Sequence, residues 1–158
     1  MTGIPVGIST CLLGKEVRHD GGHKHSRFCT QVLSRHFEFR SICPELEAGL
    51  GVPRPAIHLR EYHDGLKLIE TKGTADHTDA MQGFIDQVLP TLADLRGYIL
   101  MAKSPSCGME RIKVHNEDGN VQLSTMYGVL IVWDQICSQV FACLCSAVNP
   151  CQLQQLKL

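Results

Sequence analysis

The sequence predicts an α/β fold: one domain built on a mostly parallel, Rossmann-like sheet flanked by helices, with cysteines at the C-terminal ends of the strands. Three observations predict it. Short apolar runs bounded by turn residues alternate with helically spaced segments, the pattern of a sheet covered by helices. Three of those runs, "IPVGIS", "FEFRSI" and "GYILM", each lead into a loop that carries a cysteine. The chain has 158 residues, which fits a single domain large enough to bury a real core.

Taken in order, "IPVGIS" (Ile4 to Ser9) reads as a short buried strand ended by "TCLLG". "KEVRHDGGHKHS" has no periodicity and reads as a polar loop. "SRFCTQVLSRHF" places Phe28, Val32 and Leu33 on one face behind Ser26, a good N-cap, and predicts a helix. "FEFRSI" is the second strand, followed at once by "CPE"; "GLGVPRP" is a loop rich in breakers. "AIHLREYHDGLKLIE" alternates around Asp64-Gly65 and predicts a hairpin. From Thr74 to Leu95 the spacing of Met81, Phe84, Ile85, Val88, Leu92 and Leu95 is helical, with a kink expected at Pro90. "GYILM" is the third parallel strand, and "RIKVHNEDGNVQL" a hairpin around "NEDG". The tail from Met126 to Val148 is apolar and predicts helix. No internal repeat or linker interrupts the chain.

Composition excludes several classes of function. Hydrophobic residues make up 44% and charged residues 20%, the balance of a globular protein rather than a disordered one. The formal net charge of −1 lacks the basic footprint of a nucleic-acid binder, so no nucleic-acid polymer is expected and any nucleotide-like ligand should be small. The N-terminus shows neither a basic start nor a long apolar core, so no secretory signal is expected. No apolar run approaches the length of a membrane span. A cytoplasmic location is expected, and there eight cysteines point to metal binding or catalysis rather than disulfides.

Loops that follow the carboxyl ends of parallel strands line one crevice. Cys11, Cys43 and Cys107 follow the three parallel strands and should therefore meet at one sheet edge. Three thiolates remote in sequence suit a metal or a cluster better than a single nucleophile, and leave one coordination position open. Buried structural cysteines are the alternative. Cys29, beside Phe28 in a helix, reads as a core residue. Cys137, Cys143, Cys145 and Cys151 lie in the apolar tail, without ligand spacing.

The stretches "STCLLGKEVRHDGGHK", "ICPELEAGLGVPRP", "GYILMAKSPSCGMERIKV" and the turn "NEDG" together resemble the thiouracil desulfidases of the TudS type. The resemblance covers residues 4 to about 120; from 126 to 158 the chain departs from the family's usual ending. It implies a [4Fe-4S] cluster held by Cys11, Cys43 and Cys107, with the sulfur of a thiolated pyrimidine binding the fourth iron. The implied reaction is a desulfuration of thiouracil without net redox change, giving uracil and hydrogen sulfide.

Beside such a cluster, Glu45 in "CPE" is placed to activate water or shuttle a proton. Ser104 and Ser106 flank the third cysteine; Ser104 is the better catalytic candidate, because Ser106 abuts Cys107 and reads as a substrate contact. In "RHDGGHK", Asp20, His23 and Lys24 are candidates for the pocket mouth, against a charged surface loop with an Asp20–Lys24 pair. Arg54, alone between two prolines, reads as an exposed residue. A non-catalytic iron–sulfur sensor and a structural zinc module remain the rival readings.

Overall fold

The computed structural model describes residues 3–108 and 110–125. The expected tail helix lies outside the described residues. β1 (Ile4–Ser9) is central in a parallel three-stranded sheet of order β2-β1-β5, with β2 (Phe37–Ile42) and β5 (Tyr98–Ile99) on either side. The α/β expectation holds, with the wholly parallel sheet limited to these three strands. The two hairpins form a second sheet of order β4-β3-β6-β7. In it β3 (Ile57–Tyr62) pairs antiparallel with β4 (Gly65–Glu70), and β6 (Glu110–His115) with β7 (Val121–Thr125). A short parallel pairing, Leu59 with Val114 and Arg60 with His115, joins them. Hairpin partners are neighbours in sequence, so each pair closes over a short turn at a small entropic cost.

β1 and β2 begin and end where the sequence predicts. The third parallel strand shrinks to two residues. Gly97 accepts a hydrogen bond from the Gly7 amide, and two residues after β5 the Met101 amide turns to the Ser9 hydroxyl at 2.9 Å. A Cβ at Gly7 would collide with the Tyr98 ring, so glycine is what lets β5 cross β1 closely.

The first helix, α1 (Arg27–Gln31), is shorter than expected, and a separate 3-10 turn follows at Leu33–Arg35. Ser26 caps it as predicted, its hydroxyl accepting from the Cys29 amide. The inward face differs from the expected one. Cys29 is fully buried, while Phe28 and Val32 are 42% and 44% exposed, because five residues are too few to carry a helical stripe into the core.

α2 (Thr78–Val88) starts four residues later than its periodicity predicts. The preceding residues stay with the sheet through an Ile69–Asp76 bridge, and Asp76 then accepts from the Thr78 amide. At Pro90, where a kink is expected, the α-helix instead stops, at Val88, and gives way to a 3-10 turn over Leu89–Leu92. Met81, Phe84 and Ile85 of α2 pack with Ile57, Leu59, Leu68, Leu92, Leu95 and Ile112 in the main core. Among the described residues no helix is long and apolar enough to cross a membrane.

Candidate metal centre

Because β1, β2 and β5 are parallel, their carboxyl ends share one edge, and the three cysteine loops begin there. Cys11 sits in a 3-10 turn (Thr10–Leu13) directly after β1. Its carbonyl accepts from the Lys24 amide at 3.0 Å, which folds the polar loop back over the turn. Cys43 follows β2; its amide donates to the Glu47 carboxylate at 2.9 Å, and its thiol faces the Val17 carbonyl at 3.8 Å. Cys107 lies in a loop closed by Gly108 N–H to Ser104 C=O, 2.8 Å, and by Cys107 N–H to the Ser104 hydroxyl, 3.2 Å. A Cβ at Gly108 would meet Ile112 and the Ser104 carbonyl, so the turn closes only around glycine.

Cys11 and Cys107 are buried, Cys43 is half-buried, and all three are free thiols. Burial pushes each thiol up. For Cys11 the Cys43 sulfur adds to the effect; for Cys107 burial drives the value to about 12, with Glu45 and Cys43 adding to it against the hydrogen-bonding contacts with the Ser106 and Ser9 side chains. These couplings tie Cys43 electrostatically to both other sulfurs. Among the described residues no three His, Cys, Asp or Glu side chains are arranged to hold one metal ion.

Glu45 is the centre of a buried polar network. It is 9% exposed, and so is Arg54, which the sequence reads as a surface residue. The Arg54 guanidinium donates to Glu45 Oε2 from Nε at 2.8 Å and from Nη2 at 2.6 Å. It also donates to the carbonyls of Val17 (3.0 Å) and Gly51 (2.7 Å). Glu45 Oε1 accepts from the Ser106 hydroxyl at 2.5 Å. Ser106, 1% exposed, lies 3.2 Å from the Ser104 hydroxyl and 3.7 Å from the Cys107 sulfur. The direct neighbour of Glu45 is therefore Ser106, with the half-buried Ser104 one step further out.

The loop candidates sit apart from this network. Asp20 is exposed, accepts from the Gly22 amide at 3.0 Å and faces Arg18 at 3.7 Å, rather than pairing with Lys24. His23 is exposed and accepts from the His25 amide; Lys24 is exposed. Arg54 and Glu47 are the residues that sequence reasoning missed. Arg54 gives no local signal, since its burial depends on how its own loop closes on Glu45 and Gly51 and on the Val17 and His19 carbonyls of another loop. Glu47, four residues after Cys43, could have been read as a carboxylate within reach of that amide. Two surface cavities of about 330 and 400 Å³ are lined by other residues: one by Gly3, Pro5 and Asp94 near the start of β1, the other by Glu47, Phe84 and Thr91. Neither holds a cysteine, so the centre is defined by its side chains and not by these cavities.

A family model for 2-thiouracil desulfurases matches residues 6–144. The chain belongs to the 2-thiouracil desulfurase family. The match takes in all three cysteine loops and runs past the end of β7. This family member is also similar to a solved structure, the [4Fe-4S]-dependent thiouracil desulfidase TudS, at 22% identity and a TM-score of 0.56. That likeness covers 92% of this chain and 99% of TudS, and establishes a shared fold. No curated protein matches the desulfurase-family chain in sequence.

Proposed function

We propose that the protein desulfurates thiouracil by hydrolysis: water replaces the sulfur of a thiolated pyrimidine, giving uracil and hydrogen sulfide. The observation that carries this reading is a buried carboxylate, Glu45, whose hydroxyl partner Ser106 also touches Cys107 in the third strand-end loop. Oxygen replaces sulfur at one carbon, so atoms and electrons balance with water as the sole co-reactant. Family membership supports the substrate class.

The resident group we propose is a [4Fe-4S] cluster held by Cys11, Cys43 and Cys107. The donor set fits it. Soft sulfur ligands suit iron–sulfur clusters, and the three thiols arrive from the three loops that follow β1, β2 and β5. As bare thiols they are held protonated by burial, whereas a coordinated thiol is deprotonated outright. When bound, the cluster supplies a Lewis-acidic iron with affinity for substrate sulfur.

The chain's own residues then handle water and protons. The single Ser106 hydrogen is committed to Glu45 Oε1, so Ser104 is the donor between the two hydroxyls. All hydrogens in the sequence Ser104, Ser106, Glu45 therefore point toward the carboxylate. A water at the half-buried Ser104 hydroxyl can give up its proton along this line: Ser106 passes its hydrogen to Glu45, Ser104 passes its own to Ser106, and the water refills Ser104. The water oxygen is left nucleophilic next to the ring carbon. Ser104 and Glu45 are the catalytic residues in this scheme. Asp20, His23 and Lys24 remain candidates for the outer rim of the substrate path, with Ser106 at its inner end.

The test is sulfide release from 2-thiouracil by anaerobically reconstituted protein, read beside Cys107→Ala and Cys29→Ala. Wild type and Cys29→Ala should release sulfide and carry full iron; Cys107→Ala should lose both. No sulfide from wild type with a fully assembled cluster would overturn the desulfidase reading and favour a sensor. A colourless, folded protein with stoichiometric zinc and no sulfide release would favour a structural module.

A further inference from the structure

We infer that Arg54 is a positioning residue: a clasp that fixes the Glu45 carboxylate and ties together the loops of the first two cysteines, an inference that rests on the desulfidase reading above. The side chain is 4% exposed and spends its guanidinium on three acceptors from two separate loops. Val17 belongs to the loop that follows Cys11. Glu45 and Gly51 belong to the loop that follows Cys43. The Arg54 backbone amide adds a fourth tie, donating to the His19 carbonyl at 3.0 Å.

Two details give the clasp its consequence. Both guanidinium bonds to Glu45 land on Oε2, which leaves Oε1 as the oxygen turned to Ser106. The carboxylate is thus held in one orientation, with one oxygen anchored and the other on the proton path. The Val17 carbonyl, in turn, receives both the Arg54 Nη2 and the Cys43 thiol, so the clasp and a ligand share an atom.

Lysine cannot substitute, although it keeps the charge. Its donors radiate from one nitrogen, whereas Glu45, Val17 and Gly51 are reached here from three nitrogens of a planar fork. A carboxylate freed to rotate would misplace its working oxygen, and misplacement by about 1 Å can cost roughly 10²-fold in rate.

The experiment compares Arg54→Lys, Glu45→Gln and the double variant, scoring kcat per assembled cluster, KM and the thiol labelling of the cluster-free protein. Arg54→Lys should lower kcat roughly ten- to hundredfold with little change in KM. In the Glu45→Gln background it should cost almost nothing more, because Arg54 acts through Glu45. Additive losses, or wild-type kcat per cluster in Arg54→Lys, would overturn the inference. Labelling decides the positional claim without activity. In cluster-free Arg54→Lys, Cys43 should be alkylated faster than in wild type while Cys29 stays protected. Equal acceleration at Cys29 would mean general unfolding and would sink the clasp. If wild type releases no sulfide, the desulfidase reading falls, and the labelling pattern still decides for or against the clasp.

Discussion

Ser106 has one hydrogen to give, and Glu45 takes it. Replacing Ser106 with alanine leaves a buried carboxylate oxygen without its donor, and a hydrogen bond to a charged group is worth about 1.5–3 kcal/mol. Ser106→Ala should therefore melt earlier and turn over roughly 10²–10⁴-fold more slowly, with its iron content unchanged. Calorimetry and sulfide assay on the reconstituted variant check this; wild-type turnover would remove Ser106 from the relay. The two serines show how far single residues could be read from sequence. "KSPSC" announces a tight loop with two hydroxyls beside a thiol, but which one meets Glu45 depends on how that loop closes. The Ser104 hydroxyl turns back to receive the Cys107 amide, and this leaves Ser106 facing the carboxylate. Arg54 was illegible for a related reason. Its burial is created by loops folding over it, and "VPRP" alone reads as surface.

At the scale of elements, Arg40 of β2 is tied to the connection after α2. It forks onto both oxygens of Asp94 at 2.7 and 2.8 Å, and reaches the Thr91 carbonyl with the same Nη1. Hydrogen bonding to Arg40, reinforced by its charge, holds the Asp94 carboxyl below the usual carboxylate range. A carboxyl lowered in the folded state stabilises the fold above its unfolded value, and that stability is lost as pH falls through the folded value. Asp94→Asn should therefore melt earlier than wild type at pH 7, and the gap should close as pH drops below about 4. Because the pair is exposed, salt should narrow the gap as well. A gap independent of pH, measured by thermal melts from neutral to acid, would mean that the pair is not its source. Elements carried by local signals were legible: Asp64-Gly65 turned its hairpin, and the "NEDG" turn joined β6 to β7. Elements set by distant partners were not. β5 is short because its neighbour is only the middle of β1, and α2 starts late because Ile69 holds Asp76.

Across the whole molecule, the main core and the proposed cysteine centre adjoin but draw on different residues: Ile42, Ala48 and Leu50 around the second cysteine pack with the core, while the cysteines themselves stay outside it. The core is built mainly from α2 and the four-stranded sheet, with Ile42 of β2 at its border, and none of Cys11, Cys43 and Cys107 belongs to it. The centre instead hangs on loops from the edge of the parallel sheet, held by hydrogen bonds and by the Arg54–Glu45 pair. The general arrangement was legible because strand-end loops of a parallel sheet share an edge whatever else the chain does. The placing of the core was not, since it follows from the hairpins leaving to form a second sheet. It has a consequence for loss of the cluster. A structural metal that organised the fold would take the fold with it on removal. Here the core carries its own apolar burial, so removal should loosen the loops and spare the core. Amide hydrogen exchange on loaded and chelator-stripped protein should show slow exchange throughout 57–70 and 78–88 in both states. Residues 10–26, 43–54 and 103–108 should exchange faster once the cluster is gone, because local openings follow local contacts. Collapse of protection in α2 on stripping would mean that the cluster holds the whole domain together; unchanged protection in all three loops would mean that these cysteines do not carry it.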